Sequence, residues 1–369
     1  EPRPEGEAMS DRHERVQAAM AERGLNALLL VAPASMAYLC GFRPTPYERL
    51  VVFVLPAAGE ARLVVPLLEE EAARQAAPQA ALYAWRDEEG PATALAAAVR
   101  GIAGTVGIEK AHLTVAQLEL VSAALSGASF VDCGPLLSDL RAVKDGDELA
   151  ALHRAAAVID RVIERLSAEI RPGRSEAELA ALASLLIGEE GGDGPAFPPA
   201  VLAGAKSALP HGQPDRTVLA EGDLVIVDIG AVVDGYCSDI TRTFVCGRAA
   251  DGRQRELVEV VRRAQRAGIE AVQPGASGSQ VDRAARAVIE EAGLGRYFVH
   301  RTGHGLGLEV HEAPSLTAES SDVLVPGNVV TVEPGVYLPG YGGVRIEDDV
   351  AVTELGREVL TQAPVDLEG

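Results

Sequence analysis

Residues 225–244, VIVDIGAVVDGYCSDITRTF, combine apolar strand-forming runs with two aspartates. The first residues of this stretch predict a buried β-strand, because they form a nearly continuous run of apolar, β-branched side chains. A turn at Asp234 and Gly235 leads into a return strand. Asp228 lies inside the first strand and Asp239 in the return strand. An ionised carboxylate in such surroundings is costly without a partner, so we expect a cationic group to face both aspartates.

The part of the chain around this stretch contains an internal repeat. Three segments recur in the same order: IRPGRSEAEL from Ile170 as VQPGASGSQV from Val272, HGQP at 211–214 as HEAP at 311–314, and LAEGDLVIVDIG from Leu219 as LVPGNVVTVEPG from Leu324. The separations of 102, 100 and 105 residues are nearly constant, which indicates a duplication. We expect two helix-helix-strand units to pack about an approximate two-fold axis and to bring equivalent strands into one sheet.

This packing brings four carboxylates together. Asp228 aligns with Glu333, and Asp239 corresponds to Glu347 after an insertion. Four carboxylates in an apolar interior repel one another unless divalent cations hold them. His304, in the glycine-rich segment RTGHGLGLEVHE, is a further candidate ligand, because glycines let the backbone come close to whatever the imidazole binds. One histidine and four carboxylates suit two hard or borderline divalent ions.

The first 140 residues have a different pattern. Alanine-rich helical stretches separate five apolar runs that we interpret as strands: ALLLV, LVVFVL, RLVV, TVGI and ASFVD. We expect the eight residues before Met9 to lie outside the fold and Ser10 to cap the first helix. A charged, turn-forming stretch at 141–149 marks the boundary with the repeat-containing region.

The motifs VDIG, GY-x-SD-x-TRTF, GHGLGLEVHE-x-P, VEPGVY and GVRIEDD closely resemble those of the pita-bread metallopeptidases. Within this family they resemble the proline-specific branch, which contains prolidases (Xaa-Pro dipeptidases) and Xaa-Pro aminopeptidases. The resemblance covers nearly the whole chain. It implies an α/β creatinase-like N-terminal domain over residues 9–140 and an α+β pita-bread catalytic domain, with the internal pseudo-two-fold repeat, over residues 148–369.

The resemblance implies two divalent metal ions per subunit. Asp228 would bind one ion, and Asp239 and Glu347 would bridge both. His304 and Glu333 would complete the second site. We expect Mn²⁺, with Co²⁺ or Zn²⁺ as alternatives, because carboxylate-rich sites accept several metals. Two ions that share a water lower its pKa and act as Lewis acids towards the scissile carbonyl.

The same resemblance implies the catalytic and substrate-binding residues. Glu333 would be the general base that takes the proton of the attacking water. His211 and His311, which the repeat equates, would bind the substrate carbonyl and stabilise the tetrahedral intermediate. Three further residues match positions near the substrate: His300, Arg345 and Tyr337.

A loop of the N-terminal domain is a candidate cover for the site. The segment GFRPTPYERL, residues 41–50, contains two prolines that stiffen it, and it would present Tyr47 and Arg49. The planar fork of an arginine can bind a carboxylate bidentately. We therefore expect Arg49 or Arg345 to recognise the free carboxylate of a dipeptide. The alternative is that Arg49 lies on the surface before a strand.

The composition limits the partners. A formal net charge of −21 argues against nucleic acid and anionic membranes, which would repel the chain. No apolar run reaches the ~18 residues of a membrane span. The four cysteines form no C-x-x-C pair, which favours reduced thiols. We expect a cytoplasmic protein with a small peptide substrate, and the resemblance implies a homodimer.

The predicted function is metal-dependent hydrolysis of the peptide bond preceding proline, in Xaa-Pro dipeptides. One alternative is an Xaa-Pro aminopeptidase that acts on longer peptides. Two others are a non-catalytic pita-bread binding protein and a metal-free hydrolase of the creatinase kind. Both generally lack the ligand set, whereas all five candidate ligands are present in this sequence.

Overall fold

A computed structural model describes residues 5–45 and 48–365 of the chain. Two units follow each other along it, Glu1–Arg141 and Ala142–Gly369. Each unit buries clusters of apolar side chains of its own. None of the helices within the described ranges combines the length and the apolar character that a membrane span requires.

The first unit is a mixed β-sheet with helices between its strands. Its elements are α1 (Glu5–Glu22), β1 (Ala27–Leu30), α2 (Pro33–Cys40), β2 (Val52–Pro56), β3 (Arg62–Pro66), α3 (Glu70–Ala76), β4 (Ala81–Trp85), α4 (Ala92–Ala98), β5 (Thr105–Ile108), α5 (Val115–Ala124), β6 (Ser129–Asp132) and α6 (Gly134–Ala142). The strand order is β4-β3-β2-β1-β5-β6. Strand β2 is antiparallel to both of its neighbours, and the other pairs are parallel.

Five of these strands coincide with the five predicted apolar runs. Strand β4 was not predicted, because its sequence ALYAW is mostly half-buried and gives no strong apolar signal. The predicted cap at Ser10 is wrong. Helix α1 begins at Glu5, so that Ser10 lies inside it, and the expectation that the residues before Met9 lie outside the fold is wrong for residues 5–8.

The second unit contains the repeat. Its elements are α7 (Gly146–Ser167), α8 (Glu176–Glu189), β7 (Gly194–Pro195), β8 (Ala200–Ala203), β9 (Leu224–Ile229), β10 (Ala231–Val233), β11 (Tyr236–Cys237), β12 (Ile240–Val245), α9 (Gly252–Ala271), α10 (Gly278–Glu291), β13 (Gly303–Gly305), β14 (Glu312–Leu316), β15 (Val329–Val332), β16 (Gly335–Leu338), β17 (Gly342–Arg345), β18 (Asp348–Thr353) and β19 (Gly356–Val359). Helices α7 and α8 correspond to α9 and α10, and β9 corresponds to β15.

Matching caps confirm the duplication at the level of local structure. Ser175 and Ser277 each form a capping box at the start of α8 and α10. Each serine also forms an isolated β-bridge, Ser175 with Val218 shortly before β9 and Ser277 with Val323 shortly before β15. The two copies therefore use the same turn, cap and bridge.

The expectation that equivalent strands share one sheet is wrong. Strand β9 lies in the sheet β12-β9-β8, whereas β15 lies in the sheet β14-β13-β15-β18-β19. The two sheets meet at Glu347, whose backbone N–H donates to the Thr241 carbonyl at 3.1 Å. The next link runs from the Asp239 N–H to the carboxylate of Asp349 at 3.0 Å. A side chain takes the place of a backbone acceptor there, so the ladder does not continue.

Candidate active site

Strands and strand ends of both repeat copies deliver the five predicted ligands to one place. Asp228 lies in β9 and His304 in β13, while Asp239, Glu333 and Glu347 are each one residue away from a strand end. All five line a single cavity of about 520 Å³. This volume is typical of a small-molecule site.

Two glycines fix the position of His304. Strand β13 lies between β14 and β15. A Cβ atom on Gly303 would lie 1.9 Å from the Thr331 carbonyl oxygen, and one on Gly305 would lie 2.1 Å from that of Ala313. Only glycine permits these approaches. The close packing holds the backbone on both sides of the imidazole.

Four of the five predicted ligands converge closely. Asp239, His304 and Glu347 each offer one ligand atom, and these atoms lie within 4.8 Å of one another. Glu333 Oε1 lies 3.4 Å from His304 Nε2. Asp228 is held differently, because its Oδ2 accepts a hydrogen bond from Arg345 Nη2.

The electrostatics of this cluster suit a bound cation. Burial, followed by the negative charge of Glu347, raises the pKa of Asp239 well above its usual value. Burial also raises the pKa of Glu347, and the negative charge of Glu333 raises it further. Burial raises the pKa of Glu333 to about 7. Burial lowers the pKa of His304 to about 3, so its imidazole is neutral and able to ligate.

One buried oxygen of the cluster also lacks a hydrogen bond. Within the described part of the chain, Asp239 Oδ1 has no partner. A buried carboxylate oxygen normally has one. Carboxylate oxygens and a neutral imidazole are the donor set of Mn²⁺ and similar ions. The residues present therefore fit divalent cations.

A buried arginine stabilises the backbone next to the cluster. Arg242 donates to the backbone carbonyl of Glu347, to Asp348 Oδ1 at 2.7 Å and to the Ala363 carbonyl at 2.7 Å. Next to it, Thr241 Oγ1 donates to Glu347 Oε2 at 2.6 Å. We did not predict either role from the sequence, although both residues stand in the TRTF segment that follows Asp239.

The predicted histidines occupy the same cavity. His211, His300 and His311 all line it. The rings of His304 and His311 meet edge to face, with 4.3 Å between their centroids. Both ring nitrogens of His300 have protein partners, the Arg301 carbonyl at 2.7 Å and Tyr337 Oη at 2.8 Å.

Both predicted arginines donate hydrogen bonds to protein groups. Besides Asp228, Arg345 donates to Thr241 Oγ1 at 3.0 Å and to Tyr337 Oη at 2.8 Å. Arg49, in the first unit, forms a two-pronged ion pair with Asp87 at 2.9 and 2.8 Å and a further contact with Glu48. Tyr47 lies outside the described residues.

Four lining residues escaped the sequence analysis: Phe197, Pro210, Arg301 and Val310. Arg301 stands between His300 and the GHG segment, so proximity along the chain was a usable signal. Phe197 and Val310 carry no such signal, because one apolar side chain in a loop resembles any other.

Comparison with known proteins identifies the family to which the chain belongs. Residues 12–143 match the Creatinase/Prolidase N-terminal domain, and residues 150–354 match Metallopeptidase family M24. The chain is 42% identical to the probable dipeptidase PepE of Mycobacterium tuberculosis, over 95% of this chain and 93% of that protein. It is 34% identical to the Xaa-Pro dipeptidase of Pyrococcus furiosus, over 97% and 100%. The crystal structure of a prolidase from Thermococcus sibiricus superimposes with a TM-score of 0.92 at 35% identity, covering 97% and 98%.

Proposed function

Because the chain belongs to Metallopeptidase family M24 and carries a Creatinase/Prolidase N-terminal domain, we propose that it hydrolyses the peptide bond preceding proline in Xaa-Pro dipeptides. The observation that carries this proposal is the buried cluster of Asp239, His304 and Glu347 inside a cavity of dipeptide size. The Pyrococcus furiosus relative, named an Xaa-Pro dipeptidase, supports the choice of substrate.

We assign two divalent ions to the five ligands named from the sequence: Asp228, Asp239, His304, Glu333 and Glu347. Mn²⁺ is our first choice, and Co²⁺ or Zn²⁺ are alternatives, because this donor set accepts each of them. When bound, such ions act as Lewis acids and lower the pKa of the attacking water.

The protein itself supplies the proton transfer and the charge stabilisation. Glu333, whose Oε1 lies 3.4 Å from His304 Nε2, is the proposed base that accepts the proton of the attacking water and passes it to the departing amine. His311 and His211 are proposed to donate hydrogen bonds to the carbonyl oxygen as it becomes negative. Arg345 holds Asp228 in place and, through Tyr337, also orients His300.

We also propose a homodimer and a cytoplasmic location. The family resemblance supports the homodimer. The four cysteines support the location, because all are free and buried, as a reducing compartment maintains them.

The test is an assay of metal-stripped protein reconstituted with Mn²⁺, Co²⁺ or Zn²⁺. We expect Ala-Pro to be cleaved only after metal is added, and Ala-Ala to be a much poorer substrate. Faster cleavage of Ala-Pro-Ala than of Ala-Pro would favour the aminopeptidase alternative. No cleavage of any of the three peptides with two bound ions would favour a non-catalytic binding protein.

A further inference from the structure

One cationic side chain in the cavity remains without a role. Arg301 lines the cavity, as does Arg345. Each of the three guanidinium nitrogens of Arg345 donates to a protein group. Among the described residues, by contrast, Arg301 takes part in no ion pair, and its only hydrogen bond is accepted by its backbone carbonyl. Its guanidinium is therefore available to a ligand.

The backbone around Arg301 is held firmly even though its side chain is not. On one side, the His300 carbonyl accepts from Arg286 Nη2 at 3.0 Å. On the other side, Thr302 is fully buried and donates from Oγ1 to Asp282 at 2.8 Å. The fixed backbone sets the point from which the side chain extends into the cavity, and the guanidinium itself becomes ordered when it binds a ligand.

The cavity lining carries both negative and positive groups. Its carboxylates, Asp239 and Glu347 among them, are proposed metal ligands. The charge of Arg301 lowers the pKa of Glu333, but Arg301 forms no ion pair with any carboxylate of the described residues. A dipeptide offers this guanidinium a group of opposite charge, because the residue after the scissile bond carries a free carboxylate. An arginine fork binds a carboxylate bidentately and with defined geometry.

We propose that Arg301 binds the free carboxylate of the residue that follows the scissile bond. It would thereby restrict the enzyme to dipeptides. This inference rests on the proposed function, and it assigns to Arg301 the recognition that the sequence suggested for Arg49 or Arg345.

The experiment compares Ala-Pro with Ala-Pro-amide, which differs only in the charge of the carboxyl group. We expect the unmodified enzyme to prefer Ala-Pro by roughly 10- to 100-fold in kcat/KM, as for a hydrogen bond to a charged group. Arg301→Ala should lose this preference by losing activity on Ala-Pro, while its activity on the amide stays nearly constant. Arg301→Lys should keep part of the preference, because the charge remains and the fork is lost.

Two controls separate binding from folding. Arg262→Ala removes an arginine that is exposed on α9 and pairs with Glu259, and it should leave the preference unchanged. Metal content should be equal in all variants. In the unmodified enzyme, free proline should inhibit Ala-Pro cleavage more strongly than prolinamide, a result that needs no variant.

The outcomes distinguish this inference from the proposed function. If the unmodified enzyme cleaves neither Ala-Pro nor its amide, the proposed function fails and this inference fails with it. If it cleaves Ala-Pro but Arg301→Ala keeps the full preference over the amide, only the role of Arg301 is overturned. Equal inhibition by proline and prolinamide would overturn that role as well.

Discussion

In the metal-free protein, the carboxylate of Asp239 is both buried and surrounded by other acidic groups. Its side chain is almost fully buried, and Glu347, Asp228 and Asp349 add like charge around it. In the described chain, no hydrogen bond reaches its Oδ1. A site of this kind stores unfavourable energy until a cation binds. Function and stability therefore make opposite demands on this carboxylate.

The first prediction concerns Asp239→Asn. Activity on Ala-Pro should fall to background, because a proposed bridging ligand is lost. In a chelator, however, the variant should have a higher Tm than the metal-free parent, because one of the repelling charges is gone. Calorimetry and metal analysis would check both parts. Near-normal turnover with two bound ions would contradict the ligand assignment.

The second prediction concerns His311, which is proposed to contact the substrate carbonyl. His311→Ala should keep both ions but lower kcat by ~10²- to 10³-fold, as the loss of an oxyanion donor does. His153→Ala is the matched control, because His153 is an exposed histidine paired with Glu358. Loss of metal from the His311 variant would instead identify this histidine as a ligand.

Strand β13 shows how a secondary-structure element positions a proposed ligand, His304. It is only three residues long, and glycines on both sides of His304 let it pack against β14 and β15. The GHG pattern indicated a close approach of the backbone, but the groups that it approaches, the carbonyls of Thr331 and Ala313, are distant in sequence. Their identity depends on the register of three strands, which local patterns do not determine.

The third prediction follows from this packing. Gly303→Ala should lower both Tm and activity, because the new Cβ would lie 1.9 Å from the Thr331 oxygen and the strand must move. Gly252→Ala is the matched control. Gly252 begins helix α9, and a Cβ there would have no heavy atom within 4 Å, so stability should stay equal or rise slightly. Equal stability and activity in the two variants would show that β13 tolerates displacement.

The two-unit architecture and the M24 fold were predictable, because motifs and the repeat report them directly. The convergence of Asp239, His304 and Glu347 was predictable, because a carboxylate in an apolar strand is costly without a partner. The direction of long side chains was not predictable. Arg345 lines the cavity, as expected of a residue near the substrate, but its three guanidinium nitrogens donate to Asp228, Thr241 and Tyr337, which the sequence did not indicate. Spacing along a strand fixes a face of the sheet but not the partners of a flexible side chain.

The fourth prediction uses the single tryptophan, Trp85, which lies in the core of the first unit. All proposed ligands lie in the second unit. Mn²⁺ at a thousandfold excess over Kd should therefore raise the free energy of unfolding of the second unit by about 4 kcal/mol, and its unfolding midpoint should rise with it. The unfolding midpoint measured by Trp85 fluorescence should not change. A parallel rise of the calorimetric and fluorescence midpoints would show that the two units unfold together.

The duplication has a consequence for how such a centre can assemble. The first copy contributes Asp228 and Asp239, and the second contributes His304, Glu333 and Glu347, so neither copy holds the complete set. If the two copies were separate half-length chains, their association would depend on their concentration in the cell. The connection between β12 and α9 replaces that encounter with an effective concentration in the millimolar range for a short tether. Cutting this connection should make metal binding depend on protein concentration, as for a two-component reaction.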